Sequence, residues 1–508
     1  MQAGRLPGCG ANLRSLMAPY AYAVLSGLLM WAAYPPLGWG VLGFVAPIPL
    51  FLGLRMVERG PTALGVGFTY GFVFFGLMLN YVRFVGFVAW IPLTVLMAAS
   101  AAAYGLLVWT FRHWPPTRWW LIVIGGWGLW EFVRVHVPFG GFPWGILGYS
   151  TGSVEGFIGS VQWVGPSGWS ILTIAVAAGA ALVIEDRSNW RLFVDPAVVV
   201  MLVALGGSLF APSADGEVVK VAIIQGNTPC PQTHCQNENE RIYESHLALT
   251  QSLAPGDVDL VVWPENATGS GFDPVTSTEV RDALSAEAQR LDAYMLISGT
   301  RGVSAEEFLN VNVMISSNGN IIGEYAKRHP VPFGEFVPLR AALDFIPQLD
   351  RVPRDMVRGE EAVVFEMPGG TLGSVISFEG SFSRIMRDEI EAGAELMVVA
   401  TNESTYIDSP ASDQLINLTR VNAAALGVDL VHAAITGRSV ILKADGELVA
   451  STDVLTTEVL LGEVQFRTAG MTLFARFGDW LLLVSWAAAA AALLVPGEGR
   501  PERGHKGP

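Results

Sequence analysis

The chain has 508 residues, 31 of them Lys or Arg against 46 Asp or Glu, for a net charge of −15. Only 15% of its residues are charged, against about 25% in an ordinary soluble protein, and the mean hydropathy of +0.42 argues against a wholly soluble chain. The acidic balance argues against a nucleic-acid binder, which needs basic surface to displace counterions from phosphate, and a hydrophobic content of 51% argues against disorder.

Taken in chain order, the apolar runs come first. A helix needs about 20 mostly apolar residues to cross the hydrocarbon core of a bilayer. Seven such runs are expected near 18–34, 37–54, 62–82, 87–111, 119–135, 163–185 and 194–211, and an eighth near 476–496. Between 212 and 470 charges become frequent and no run qualifies. The expected layout is a membrane domain over 1–211, a polar domain over 212–470, and a last span with its tail over 471–508. The first run continues into a second, which argues against a cleaved signal peptide. Leu6-Pro7-Gly8-Cys9 looks like a lipidation box but has no apolar stretch before it.

Short-loop Lys and Arg set the orientation. One set of alternate loops carries Arg5, Arg14, Arg55, Arg59, Arg112, Arg118, Arg187, Arg191, Arg500, Arg503 and Lys506; the other carries Arg83 and Arg134. The first set is expected in the cytoplasm, with both termini, and the polar domain outside. Trp119, Trp120, Trp127 and Trp130 read as interfacial or packing residues.

Within the polar domain, strands and helices alternate. Strands are expected at 220–225, 258–265, 293–300, 308–317, up to Lys327, at 371–379 and at 394–402; helices at 237–253, 277–291, 381–392 and 410–426; and antiparallel strands over 429–466. Asn318-Gly319 and Asp445-Gly446 mark turns. Cys230 and Cys235, in CPQTHC, are placed for a disulfide in an oxidising compartment. Zinc is not expected, since no paired His spacing such as HExxH accompanies His234.

Three segments then become specific: Val262-Trp263-Pro264-Glu265, the run from Tyr325 to Pro338 (YAKRHPVPFGEFVP), and Ser377-Phe378-Glu379. Their order resembles the Glu–Lys–Cys triad of the nitrilase superfamily. With seven preceding spans and one following, the chain resembles the apolipoprotein N-acyltransferases. The loop at 136–150 and the preceding Trp130-Glu131-Phe132-Val133-Arg134 are similar to that family too. The resemblance implies a multi-pass α-helical membrane domain of about eight helices and an extracytoplasmic nitrilase-like α/β domain, an α-β-β-α sandwich, in the bacterial cytoplasmic membrane. It implies a two-step transfer of an acyl chain from a phospholipid, phosphatidylethanolamine for choice, to the amino group of a diacylglyceryl-cysteine lipoprotein, with no cofactor. In those terms Glu265 is the base, Lys327 faces the oxyanion, Glu335 orients Lys327 or relays a proton, and Glu379 supports the nucleophile.

The departure is at the nucleophile, where Ser377 stands in place of cysteine. A serine hydroxyl is far less acidic than a thiol and relies on its base as it attacks. The alternatives are a catalytically inactive homologue that binds lipid or lipoprotein, and a membrane-bound hydrolase. Phe139 and Trp144 in the external loop, and Phe378 beside Ser377, are expected to contact lipid. Phe345 and Ile346, in the loop at 339–357, are expected to dip into the interface and gate lipid entry.

Overall fold

The computed structural model describes residues 9–494 apart from 234 and 344, and side chains from 17 onward. Arg5 and the Arg500, Arg503 and Lys506 tail lie outside the described residues.

The first part of the chain is helical: α1 (Cys9–Ala32), α2 (Pro47–Met56), α3 (Gly60–Met78), α4 (Phe87–Thr110), α5 (Pro116–Arg134), the single turn α6 (Gly148–Thr151), α7 (Val161–Glu185) and α8 (Arg191–Leu209). Among the described residues, four helical stretches, at 60–78, 87–110, 158–185 and 187–209, are long and apolar enough to cross a bilayer. The second expected run is broken instead into a 3-10 turn at Gly40–Phe44 and the ten-residue α2. At 1.5 Å per residue α2 is about 15 Å long, half a hydrocarbon core. Small residues set the packing of α3 on α4. A Cβ on Gly67 would lie 2.8 Å from the carbonyl oxygen of Ala101, so only glycine permits that backbone approach. The outer face of α8 is apolar and exposed, with Met201, Leu202, Leu205 and Leu209 all more than half accessible, which suits a lipid-facing helix.

The polar half contains β1 (Val218–Gln225), α9 (Glu238–Gln251), β2 (Leu260–Thr268), α10 (Thr278–Leu291), β3 (Tyr294–Gly302), β4 (Glu307–Ile315), β5 (Ile321–Ala326), α11 (Arg340–Leu343), β6 (Asp355–Met356), β7 (Val364–Met367), β8 (Gly370–Ile376), α12 (Ser383–Glu391), β9 (Leu396–Thr401), α13 (Ala411–Leu426), β10 (Leu430–Ala434), β11 (Val440–Leu442), β12 (Leu448–Ser451) and β13 (Glu458–Gln465). The short α14 (Leu473–Phe477) then leads to the apolar α15 (Trp480–Leu494). One sheet runs β13-β1-β2-β3-β4-β5, with β6 beside β4; the other runs β12-β11-β10-β9-β8-β7. Strand β10 corrects the sequence reading of 429–466: it pairs parallel with β9 and antiparallel with β11.

Alternation along the strands explains the layering. Leu260 and Val262 of β2 face the second sheet in one core, while Val261 and Trp263 face α9 and α10 in another. The second sheet is covered by α12 and α13, completing four layers. Helix starts and stops are local: Ser277 caps α10 by accepting from Val280 N–H, and Gly427, at φ 67°, ends α13. Trp119, Trp127 and Trp130 are buried packing residues. Cys230 and Cys235 are joined by a disulfide.

Candidate active site

The four chemistry-bearing segments all leave the ends of strands. Glu265 stands in the last part of β2, Lys327 directly after β5, Ser377 directly after β8, and Asn402 directly after β9. Because β2 and β9 belong to facing sheets that pack together, their ends converge on one spot. This is the position at which parallel sheets ordinarily hold ligands.

Lys327 is the centre of the cluster and is 1% exposed. Its Nζ donates to Glu335 Oε1 at 2.7 Å and to Glu265 Oε1 at 3.3 Å. Glu265 Oε1 also accepts from Asn310 Nδ2 at 2.6 Å, and its Oε2 accepts from Asn402 N–H at 2.8 Å. Glu335 Oε2 accepts from Val331 N–H at 2.7 Å, which closes the turn that carries it. Burial pushes the Glu265 carboxyl above its ordinary value, the ammonium of Lys327 opposing and the carboxylate of Glu335 adding to the rise. For Lys327 burial acts downward, but Glu265 and Glu335 outweigh it and hold the amine above its usual range, as a cation.

Ser377 sits at φ 53°, in the left-handed region that a non-glycine residue seldom adopts. Strand β8 turns there directly into a short 3-10 helix, Ser377–Ser381, which projects the hydroxyl from the strand end. Such a residue costs on the order of 1–3 kcal/mol and persists only where its surroundings over-determine it. Glu379 does so. Its Oε1 accepts the N–H groups of Arg328 and His329 at 2.7 and 2.8 Å, and its Oε2 accepts Ile376 N–H at 2.9 Å and the Tyr325 hydroxyl at 2.8 Å. One carboxylate thus fastens the Ser377 turn to the backbone that follows Lys327. Thr401 Oγ1 donates to Ser377 Oγ at 3.3 Å. Consecutive residues at the end of β9, Thr401 and Asn402, therefore hold Ser377 and Glu265.

Aromatic rings wall the turn. Phe378 stacks with Trp144 (centroids 5.9 Å), Phe142 (6.0 Å) and His329 (5.6 Å). His329 is neutral: burial and then the nearby cations, Arg384 first, depress it to about 3. Phe139 is 41% exposed and stands edge-on to Phe333, apart from this stack. Phe345 is 78% exposed and Ile346 is partly buried. Their segment touches the first domain through Arg351, whose Nη1 donates to Val85 O at 3.2 Å.

Glu265, Lys327, Glu335, Ser377, Glu379, Phe378 and Trp144 are thus brought together, while Phe139, Phe345 and Ile346 are not. Asn310, Thr401, Asn402 and Tyr325 are additional. Asn310 and Asn312 break the apolar alternation of β4 on its inward face, a signal present in the sequence. Asn402 acts through its backbone and leaves no such signal. Among the described residues no group of three His, Cys, Asp or Glu is placed to hold a metal ion.

The comparisons with known proteins divide along the same boundary. Residues 26–179 match the family model for the apolipoprotein N-acyltransferase N-terminal domain, and residues 220–472 match that for carbon-nitrogen hydrolase. Among curated relatives, an apolipoprotein N-acyltransferase of Sinorhizobium medicae is 30% identical, the alignment covering 86% of each chain. This chain belongs to the apolipoprotein N-acyltransferase family. The relative from Gloeobacter violaceus is 28% identical over 98% of this chain and 97% of its own length, and that from Geobacter metallireducens 29% over 94% of each. The nitrilase-like α/β domain expected from the sequence is thereby established, and the chain spans its relatives almost from end to end.

Glu379 offers a direct check on the site's construction. In Glu379→Gln one oxygen becomes an NH2 group that must face N–H or O–H donors. Each group left unsatisfied costs about 1–3 kcal/mol. The variant should melt at lower temperature and lose most acylating activity even below its melting point, measured by thermal unfolding and product formation in detergent.

Proposed function

We propose that this chain N-acylates the N-terminal diacylglyceryl-cysteine of lipoproteins through an acyl-enzyme on Ser377. Lipoprotein N-acylation is the activity of the family to which the chain belongs. The observation that carries the serine reading is the intact constellation around it: a buried Glu–Lys–Glu cluster, with nucleophile and base tied to neighbouring residues of β9.

In the first step Ser377 Oγ attacks the ester carbonyl of a phospholipid, and Glu265 takes the hydroxyl proton. The charge that develops on the carbonyl oxygen is met by Lys327. Collapse expels the lysophospholipid alkoxide, which recovers the proton from Glu265, and leaves the acyl chain esterified to Ser377. In the second step the lipoprotein amine attacks that ester, Glu265 takes an amine proton, and the amide forms as the proton returns to Ser377 Oγ. Atoms and charge balance without a cofactor. Glu335 fixes Lys327 and so keeps its charge directed at the reacting carbonyl oxygen.

Both substrates are lipid-anchored, which requires the site to stand at a membrane surface. Eight apolar helices, α1 to α5, α7, α8 and α15, carry the chain through or into the cytoplasmic membrane, with the α/β domain outside and both termini cytoplasmic, as the Arg distribution directs. The 212–470 region is the catalytic domain on this reading. On this reading phosphatidylethanolamine is the donor, and Phe345 and Ile346, with Phe139, meet lipid from the exposed loops that carry them.

Four results test this. Purified protein incubated with phosphatidylethanolamine and no acceptor should gain one acyl chain on Ser377, seen by intact and peptide mass spectrometry. Ser377→Ala should abolish adduct and product, and Ser377→Cys should match or exceed the parent. Activity unchanged in the alanine variant would overturn the serine mechanism. The rate should also fall on acidification at a pH above 4.5, the reference carboxylate value, because the base must be ionised and burial raises its pKa. An acid limb at or below 4.5 would remove Glu265 from that role. Asp replacements at Phe345 and Ile346 together should weaken donor use several-fold through KM; unchanged KM would end the entrance assignment.

A further inference from the structure

The helix that precedes the external loop carries two charged side chains that the reaction does not use. Glu131 and Arg134 lie one turn apart near the end of α5, and each is 2% exposed. Arg134 was counted from the sequence as an external loop charge; the structure buries it instead.

Both side chains grip the same stretch of backbone. Arg134 Nη1 donates to Trp144 O at 2.9 Å and Nη2 to Gly145 O at 3.1 Å, while the carbonyl of Arg134 accepts from Phe142 N–H at 2.7 Å. Glu131 Oε1 accepts Leu147 N–H at 2.8 Å and Trp127 Nε1–H at 2.8 Å. The guanidinium itself lies over two rings, 4.7 Å from Trp130 and 5.0 Å from Phe75. The gripped segment is tight: Gly145 has φ 76°, and a Cβ there would lie 2.9 Å from Phe75 and 3.0 Å from Phe74.

What the segment presents is the aromatic wall of the site. Phe142 and Trp144 stack on one another at 5.2 Å, and both stack on Phe378, the neighbour of Ser377. On the far side Trp144 Nε1 donates to Gln414 Oε1 at 3.0 Å, and Arg384 Nη2 donates to Gly140 O at 2.9 Å, so α13 and α12 hold the same loop from the catalytic domain.

We propose that Glu131 and Arg134 form a two-jawed clamp that positions the Phe142–Trp144 platform against Phe378, and thereby holds the nucleophile turn and the apolar surface on which the donor's acyl chain rests. They are positioning residues: neither touches the reacting atoms. The activity arm of the test rests on the acyl-transfer reading above, and the exchange arm does not.

The clamp is tested in the full-length protein in detergent with Arg134→Met, Glu131→Leu and Glu131→Gln. Single-turnover acylation of Ser377 by phosphatidylethanolamine and amide hydrogen exchange over 140–147 and 376–382 are followed together. Arg134→Met and Glu131→Leu should slow acylation on the order of 10–100-fold, the scale set by sub-ångström to ångström misplacement of a reacting group. Donor KM should move far less, and exchange should accelerate in both segments. Glu131→Gln keeps a carbonyl oxygen for Leu147 N–H and should stay near the parent in both readouts. If Arg134→Met does not fold, the Glu131→Leu and Glu131→Gln pair decides by itself. Faster exchange confined to 140–147, with 376–382 and the acylation rate unchanged, would overturn the proposal, as would a Glu131→Gln as impaired as Glu131→Leu. Should the parent protein itself form no acyl-enzyme, the acyl-transfer reading falls, and exchange at 376–382 still decides the clamp.

Discussion

A single buried ammonium constrains the whole polar half. Taking an ammonium out of water costs several kcal/mol, and close, hydrogen-bonded counter-charges must offset it. Lys327 meets that demand only if four separate elements arrive together: β2 with Glu265, the turn at 331–335 with Glu335, β4 with Asn310, and the end of β9 with Asn402. The register of β5 is equally fixed. Lys327 N–H donates to Asn310 O at 2.9 Å, continuing the β4–β5 ladder, and Tyr325 two residues earlier reaches Glu379. A slip of one residue would turn both side chains to the opposite face.

The first domain is built into the site. Tyr149 donates from its hydroxyl to Asn422 Oδ1 at 2.9 Å, and its carbonyl accepts from Asn417 Nδ2 at 2.9 Å. Gln414 of the same helix, α13, donates to the carbonyls of Pro35 and Met78. One face of α13 therefore reads three parts of the helical domain, while its other face supports the sheet that ends in Thr401 and Asn402. A change of packing between the domains would be felt at the Ser377 turn through Phe378. The bundle thus supplies, through Phe142 and Trp144, the aromatic face against which the Ser377 turn packs.

Much of the fold was legible because its signals are local. The short β-branched runs, the Asn318-Gly319 turn and the charge-poor first 211 residues each report their own conformation. Glu265, Lys327, Glu335 and Glu379 were legible because the segments that carry them, VWPE, YAKRHPVPFGEFVP and SFE, resemble those of a known family in order and sequence. Thr401 and Asn402 were not, since one contributes a common hydroxyl and the other a backbone N–H. Arg134 was misread because loop charge was counted by sequence position, and nothing local shows that the following loop folds back over it. The 37–54 run had the apolar content of a span, but a glycine-rich 3-10 turn divides it.

The change from thiol to hydroxyl alters the demand on each neighbour. A thiol ionises readily beside a cation and then needs little from its base. A serine keeps its proton until attack, so on the proposed mechanism the strength of Glu265 as a base becomes limiting. Burial raises the pKa of Glu265 and so strengthens it, at the expense of the fraction ionised in acid. The hydroxyl of Thr401, donating to Ser377 Oγ, favours the developing alkoxide in the same direction. The proposed second step would then start from an oxygen ester, less activated toward an amine than a thioester, and lean on Lys327 to polarise its carbonyl. Lys327 is held as a cation by the two carboxylates that flank it. On the proposed mechanism, the same burial that makes the cluster costly to assemble strengthens the base that a hydroxyl requires.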